Sequence, residues 1–158
     1  MCRPGSPTNP KARSIRADGR PDGGSILYST FNPPIDHYSA VSLDLTTGQT
    51  RLIVPDGSTP ELSPDGAWIA FNSWLKPDPL VRLMLANSDG SGRRLIARLS
   101  GDDGYEQWSP DSTQVAYVDD TTDGGSGTYV YNLATGETRF VTYGTIESWV
   151  DNDHILVS

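Results

Sequence analysis

The sequence of 158 residues is poor in the residues on which much chemistry depends, with one cysteine, Cys2, and two histidines, His37 and His154. A single thiol excludes an internal disulfide framework and a cysteine-based zinc site. No apolar run approaches the ~20 residues that a membrane-spanning helix needs. No convincing stretch carries the spacing of an amphipathic helix. Basic residues are also few, 12 Lys and Arg against 20 Asp and Glu, for a formal net charge of −8. Nucleic-acid binding needs a clustered basic footprint, and this balance argues against it. What the chain does have is turn formers, 16 Gly and 12 Pro. Without a collagen-like period, that richness points to many short connections.

Residues 1–24 hold four prolines, five basic side chains (Arg3, Lys11, Arg13, Arg16, Arg20) and almost no apolar periodicity. They read as a disordered leader. A secretory signal needs an apolar core of about 7–15 residues after its positive charges, which this stretch lacks. Cys2 has no apolar segment before it that would mark a lipid-attachment site. Either the protein stays in the cytoplasm or this chain lacks its natural start. Ser14-Ile15-Arg16-Ala17 is at best a weak strand, because one apolar residue decides nothing. The expected division is a leader over 1–24 and a folded region over 25–158.

That region repeats. Leu62-Ser63-Pro64-Asp65-Gly66-Ala67-Trp68-Ile69-Ala70-Phe71 aligns with Trp108-Ser109-Pro110-Asp111-Ser112-Thr113-Gln114-Val115-Ala116-Tyr117, an offset of 46. An earlier copy, Pro21-Asp22-Gly23-Gly24-Ser25-Ile26-Leu27-Tyr28, lies 43 residues before. A degenerate copy runs from Trp149 to Val157 without the Ser-Pro-Asp-Gly turn. A second landmark keeps the same spacing: Arg51, Arg94 and Arg139 each follow a glycine-containing turn and are 43 and 45 residues apart. Two unrelated landmarks with one period establish a structural repeat.

Each unit reads as four short strands. The first carries Glu beside an aromatic or Leu (Glu61-Leu62, Glu106-Gln107-Trp108, Glu147-Ser148-Trp149). A Pro-Asp-Gly turn follows, in which Pro presets φ and Gly accepts positive φ. The second strand alternates through Ile26/Tyr28, Ile69/Phe71 and Val115/Tyr117, and the third through Val41/Leu43/Leu45, Val81/Leu83/Leu85 and Tyr129/Tyr131/Leu133. A Thr-Gly or Asp-Gly hairpin turn leads to the fourth. The chain is expected to be all-β.

The period and the Trp/Leu-Ser-Pro-Asp-Gly turn, followed by a strand ending Ile-Ala-Phe and later by Arg-Leu, resemble the TolB-like, or WD-like, β-propeller repeats. The resemblance covers roughly 21–158 and implies a β-propeller of four-stranded blades. Counted on the repeats, the blades are three strands from Ser25, complete blades from about Thr59 and Gly104, and two strands from Gly144. That is about three and a half blades, whereas closed propellers have about four to eight. The expectation is a fragment of a six- or seven-bladed protein; two chains sharing one ring is the other arrangement. Open blade ends at Ile26-Leu27-Tyr28 and Ile155-Leu156-Val157 lack the polar caps of terminal repeats, so self-association through them is expected.

Candidate chemistry is sparse. Gly124-Gly125-Ser126-Gly127 does not match a Gly-x-Ser-x-Gly nucleophile elbow, and no helix follows it. His37 and His154 read as surface or edge residues. The acidic groups Asp102-Asp103, Asp119-Asp120 with Asp123, and Asn87/Asp89 fail the Ca²⁺-loop spacing, because the twelfth position from Asn87 is Arg98 and from Asp119 is Val130. They read as solvated turn residues, as do Asp65 and Asp111, and no cofactor or metal is expected. Glu61, Glu106 and Glu147 are the candidate binding residues. The first strand of a propeller blade lines the central channel, where repeated carboxylates focus negative potential able to hold a cation or a basic peptide. Pairing with neighbouring Arg side chains is the competing reading, and Glu61 is one position out of register with the other two.

The resemblance implies a non-enzymatic scaffold that binds a protein or peptide partner through its channel or the connections 74–79 and 119–127. TolB-like proteins dock an envelope lipoprotein, which implies a periplasmic or envelope location if the true N-terminus is missing. The alternative is an accessory propeller of a prolyl oligopeptidase-like serine peptidase, with its catalytic domain encoded beyond Ser158. A third is a degenerate fragment without independent function.

Overall fold

A computed structural model describes residues 17–32, 37–74, 80–100, 105–120 and 124–158. Its strands form three four-stranded antiparallel sheets and one two-stranded sheet, each ordered as in the sequence. The first contains β1 (Ala17–Gly19), β2 (Ser25–Asn32), β3 (His37–Asp44) and β4 (Thr50–Val54). The second contains β5 (Ser58–Leu62), β6 (Trp68–Ser73), β7 (Val81–Asn87) and β8 (Arg94–Leu99). The third contains β9 (Glu106–Trp108), β10 (Gln114–Asp120), β11 (Ser126–Asn132) and β12 (Thr138–Tyr143), and the last β13 (Ile146–Trp149) and β14 (Ile155–Val157). Among the described residues there is no helix, and so none long and apolar enough to cross a membrane. The architecture is an incomplete β-propeller of three and a half blades.

One strand differs from expectation. β1 lies within 1–24 and completes the first blade, where the repeat count predicts three strands. It pairs through main chain alone, Ala17 with Tyr28, Asp18 with Leu27 and Gly19 with Ile26, so its three residues need no apolar alternation. The neighbouring Ser14 to Arg16 lie outside the described residues.

Strand alternation sends successive side chains to opposite neighbours, and the blades pack through three cores. Between the first two, Leu27, Ala40 and Val54 meet Leu62, Ile69, Phe71 and Ala86. Between the second and third, Ala70, Val81, Leu83, Leu85 and Leu99 meet Trp108, Val115, Tyr117 and Tyr131. Ala116, Val130 and Ile146 form the last. A blade covered on both faces reads as a continuous apolar run, and β6 is accordingly buried from Ile69 to Ser73.

The turn motif has a chemical reason for each residue. Ser109 is buried; its hydroxyl donates to Asp111 Oδ1 (2.7 Å) and accepts from Gln114 N–H (2.9 Å). Ser63 does the same between Asp65 and Trp68 N–H. Each aspartate then accepts an amide two residues on, Ala67 N–H at 3.0 Å for Asp65 and Thr113 N–H at 3.1 Å for Asp111. The degenerate unit has a turn one residue shorter and without the serine, in which Asp151 Oδ1 accepts from Asp153 and His154 N–H, both at 2.8 Å. The Ser63 and Ser109 hydroxyls hold Asp65 and Asp111 below the ordinary carboxylate value of 3.8, and the Asp153 amide does so for Asp151. A depressed carboxylate pKa contributes stability above the unfolded value, and that contribution is lost as pH falls through the folded one. These turns are therefore intact at neutral pH and weaken only in acid below about pH 4.

Candidate functional site

The inner strands are tied across the blades by side chains that the repeat supplies. Trp108 Nε1–H donates to Glu61 O (3.2 Å), and Trp149 Nε1–H to Gln107 O (3.1 Å). Leu62 holds the same place in the second blade, where its own N–H donates to Asp18 Oδ2 (2.9 Å). A second tie joins successive turns. Ser112, at φ +63° where Gly66 has +71°, accepts from Asp65 N–H (3.0 Å). Asn152 Oδ1 accepts from Asp111 N–H (3.1 Å) in the same way. The strain of a non-glycine residue at positive φ is thus held in place by an inter-blade bond.

The three candidate carboxylates all lie on inner strands, but the structure does not bring them together as one set. Side chains of an inner strand alternate between the two neighbouring blades, so each carboxylate is drawn into a joint unless a bulge turns it out. Glu106 is fully buried. Its Oε1 accepts from Thr59 Oγ1–H (3.4 Å) and its Oε2 from Asn72 Nδ2–H (3.3 Å), both in the second blade. Glu61 is half-buried and pairs with Ala70, as Gln107 pairs with Ala116, which is the one-residue offset seen in the sequence. Glu147 sits where the β13–β14 register slips between Ile146 and Ser148. The bulge leaves Ile146 buried and Glu147 exposed, with its Oε1 accepting from Ser158 Oγ–H. Glu147 is thus the exposed carboxylate of the three, and Glu106 serves the joint.

Two residues that sequence reasoning missed organise this wall. A register slip between Ser58 and Glu61 places Thr59 and Pro60 together opposite Phe71, and Thr59 adopts φ +46°. Its N–H donates to Ser29 Oγ of the first blade (2.9 Å), while its hydroxyl donates to Glu106 of the third. Asn72 Nδ2–H also donates to Thr59 Oγ1 (2.9 Å). Thr59 falls in a bulge that interrupts the period of its strand, and Asn72 is a polar residue in a strand otherwise read by its apolar alternation.

Asn72 also faces a small pocket between the first two blades, lined with His37, Tyr38, Asp56, Ser58 and Trp74. Asp56 there accepts from Ser73 Oγ–H (3.0 Å) and pairs with Arg93 (2.9 Å). Aromatic edges, an imidazole and amide and hydroxyl groups line this small hollow. The connections 75–79 and 121–123 lie outside the described residues, as do Asp102, Asp103 and Asp123.

The remaining candidates take structural places. His154 Nδ1 stands 2.9 Å from Asp151 Oδ1 in the β13–β14 turn, and Ser126 opens an ordinary strand. Asp89 Oδ1 accepts from Ser91 N–H (2.9 Å), which makes Asn87/Asp89 a turn. Asp119 Oδ1 accepts from Ser100 N–H of the second blade (2.7 Å). Among the described residues no group of three His, Cys, Asp or Glu side chains is placed to hold a metal ion.

No family model matches the chain. It is 31% identical over 101 residues to an uncharacterised protein of Agrobacterium fabrum, a match covering 62% of this chain and 33% of that protein. Among solved structures it is similar to TolB from Acinetobacter baumannii, with a TM-score of 0.68 and 21% identity over 84% of this chain and 33% of that one. A TolB-type protein from Agrobacterium tumefaciens gives a TM-score of 0.66 and 22% identity over 86% of this chain and 52% of that one. The tricorn protease gives a TM-score of 0.66 and 14% identity, covering 91% of this chain and 15% of that one. The chain thus spans a third to a half of the relatives it matches first, and it shares the fold of TolB and other β-propellers.

Proposed function

We propose that this TolB-like β-propeller chain is a non-enzymatic scaffold that binds a protein or peptide partner along its inner strands and the connections above them. The observation that carries this reading is how the polar groups of the inner wall are used. Glu106, Thr59, Asn72 and Ser29 satisfy one another across three blades, so they stiffen a surface. They do not form the nucleophile–base pair that covalent catalysis requires. Glu147 and the pocket around His37, Tyr38 and Trp74 are then presented on that stiff frame. Preorganised surfaces bind with less loss of conformational freedom.

A selection from a library of twelve-residue peptides tests this. The expected result is a set of binders whose affinity falls about tenfold or more on Glu147→Arg, with the melting curve unchanged. Binders indifferent to Glu147 and to Trp74→Ala, or no binders at all, would sink the reading. Similarity to the tricorn protease favours a second reading, an accessory propeller of a larger peptidase. Labelling of a serine in this chain by a fluorophosphonate probe would contradict the non-enzymatic reading under either arrangement.

A further inference from the structure

On the outer half of the third blade, aromatic rings stand in a row on the face turned toward the second blade. Tyr117 and Tyr129 stack with centroids 5.6 Å apart, Tyr129 meets Phe140 at 5.4 Å, and Phe140 meets Tyr143 at 5.2 Å, the last two nearly edge to face. Strand register explains the row. Tyr117, Tyr129 and Phe140 are successive partners across β10, β11 and β12, and the bulge after Thr128 sets Tyr143 opposite Gly127 on the same face. The row climbs from the core into solvent, with Tyr117 4%, Phe140 47% and Tyr143 62% exposed. Large aromatic surface left open in this way marks a contact site more often than chance.

The charges beside it give the partner's chemistry. Asp119 is also opposite Gly127, on the other side from Tyr143, and its bond to Ser100 N–H shows that it points into the same crevice. Asp120 follows it and is exposed on the opposite face of the strand. Toward the other end of the same joint Arg94 lays its guanidinium over Trp68 and Tyr131, 5.5 and 5.7 Å from the ring centroids. The joint thus already uses cation–π contact, and Phe140 with Tyr143 offers more of that surface to solvent, with Asp119 across the side-chain-free Gly127.

We propose that this rim between the second and third blades docks a basic, extended segment of a partner protein, an arginine or lysine head lying over Phe140 and Tyr143 on the side of Asp119. It rests on the partner-binding reading and names the partner's chemistry. A cation gains from the ring faces and from the carboxylate together. An apolar partner would desolvate Asp119 without pairing its charge. A second copy of a chain with net charge −8 meets like charge here.

Calorimetry with N-acetyl hexa-arginine amide, and with hexaglutamine as control, tests the site in the full chain at about 0.15 M salt, where surface charges are screened beyond roughly 8 Å. The arginine peptide is expected to bind and the glutamine peptide not. The Phe140→Ser/Tyr143→Ser pair should weaken binding about five- to tenfold, Asp119→Asn by a smaller factor, and Tyr143→Trp should preserve or strengthen it. If the double variant melts early, Tyr143→Ser alone, at the more exposed ring, keeps the test. Equal binding by wild type and ring variants overturns the proposal, as does no binding. Loss on Glu147→Gln but not on the ring variants moves the peptide to the inner wall, which overturns the rim site while the scaffold reading stands. A dimer that dissociates on Tyr143→Ser makes the occupant a second copy and overturns it too. The scaffold reading itself falls on the separate library result, if the peptide library selects nothing or only binders indifferent to Glu147 and Trp74.

Discussion

The joint between the first two blades and the joint between the second and third are built on one repeat with different chemistry. In the later joint a ring does the tying: Trp108 is buried, reaches Glu61 O through its indole, and packs into a core that also holds Tyr117 and Tyr131. In the earlier joint Leu62 holds that place, and the core is aliphatic apart from Phe71. Charged and main-chain contacts fill the difference. Asp18 accepts the Leu62 amide, Arg51 donates to Asp89 O (3.2 Å), Arg20 to Ser88 O (3.5 Å), and Arg93 pairs with Asp56. The β7–β8 turn presses on β4 so closely that Gly90 lies against Ile53 O. A repeat therefore fixes where blades meet, while the substance of each contact is free to change from ring to ion.

The largest expected effect comes from breaking the ring joint. Trp108→Ala removes a buried indole and its hydrogen bond, and should cost about 3–5 kcal/mol in denaturant unfolding followed by circular dichroism. Leu62→Ala, the equivalent change in the other joint, should cost less, about 2–3 kcal/mol. If the two cost the same, the ring does not distinguish the joints. Gly90→Ala strikes the other side. The glycine has φ +86°, and a Cβ there would stand 2.1 Å from Ile53 O. A loss of about 2–3 kcal/mol is expected from strain and displacement together. Hydrogen exchange should show Ile53 and Val54 losing protection while Val115 and Val130 keep theirs. Uniform loss across all blades would mean that the joints do not act separately.

Legibility in the sequence followed the same division. The Ser-Pro-Asp turn could be read because each residue answers a local demand: Asp65 and Asp111 bond amides two residues on, and Gly66 supplies positive φ. Strand alternation at Ile69/Phe71 and Val115/Tyr117 was equally plain, because both pairs are buried against a neighbour. β1 was hidden, since Ala17, Asp18 and Gly19 contribute main chain and one carboxylate and no apolar pattern. The carboxylates were half legible. Their place on inner strands followed from the repeat, but a one-residue slip exchanges the faces of a strand. Regular alternation in β9 buries Glu106, and the bulge beside Glu147 leaves that carboxylate exposed. Bulges leave no periodic trace, so that exposure was out of reach.

The smallest effect sharpens the comparison most. Arg93 and Asp56 are partly exposed, at 34% and 17% of their side chains, and exposed pairs are worth at most about 1 kcal/mol. Arg93→Met keeps much of the aliphatic stem and removes the charge, so a loss of about 0.5 kcal/mol is expected in low salt. The loss should shrink as salt screens the pair. Trp108→Ala should show no such dependence, because the contacts it removes are apolar apart from one neutral hydrogen bond. A double-mutant cycle of Arg93→Met with Asp56→Asn, measured in low and in molar salt, checks this. A coupling that survives salt would mean that the pair acts through packing, and the charge-built joint would then differ from the ring-built one in geometry alone.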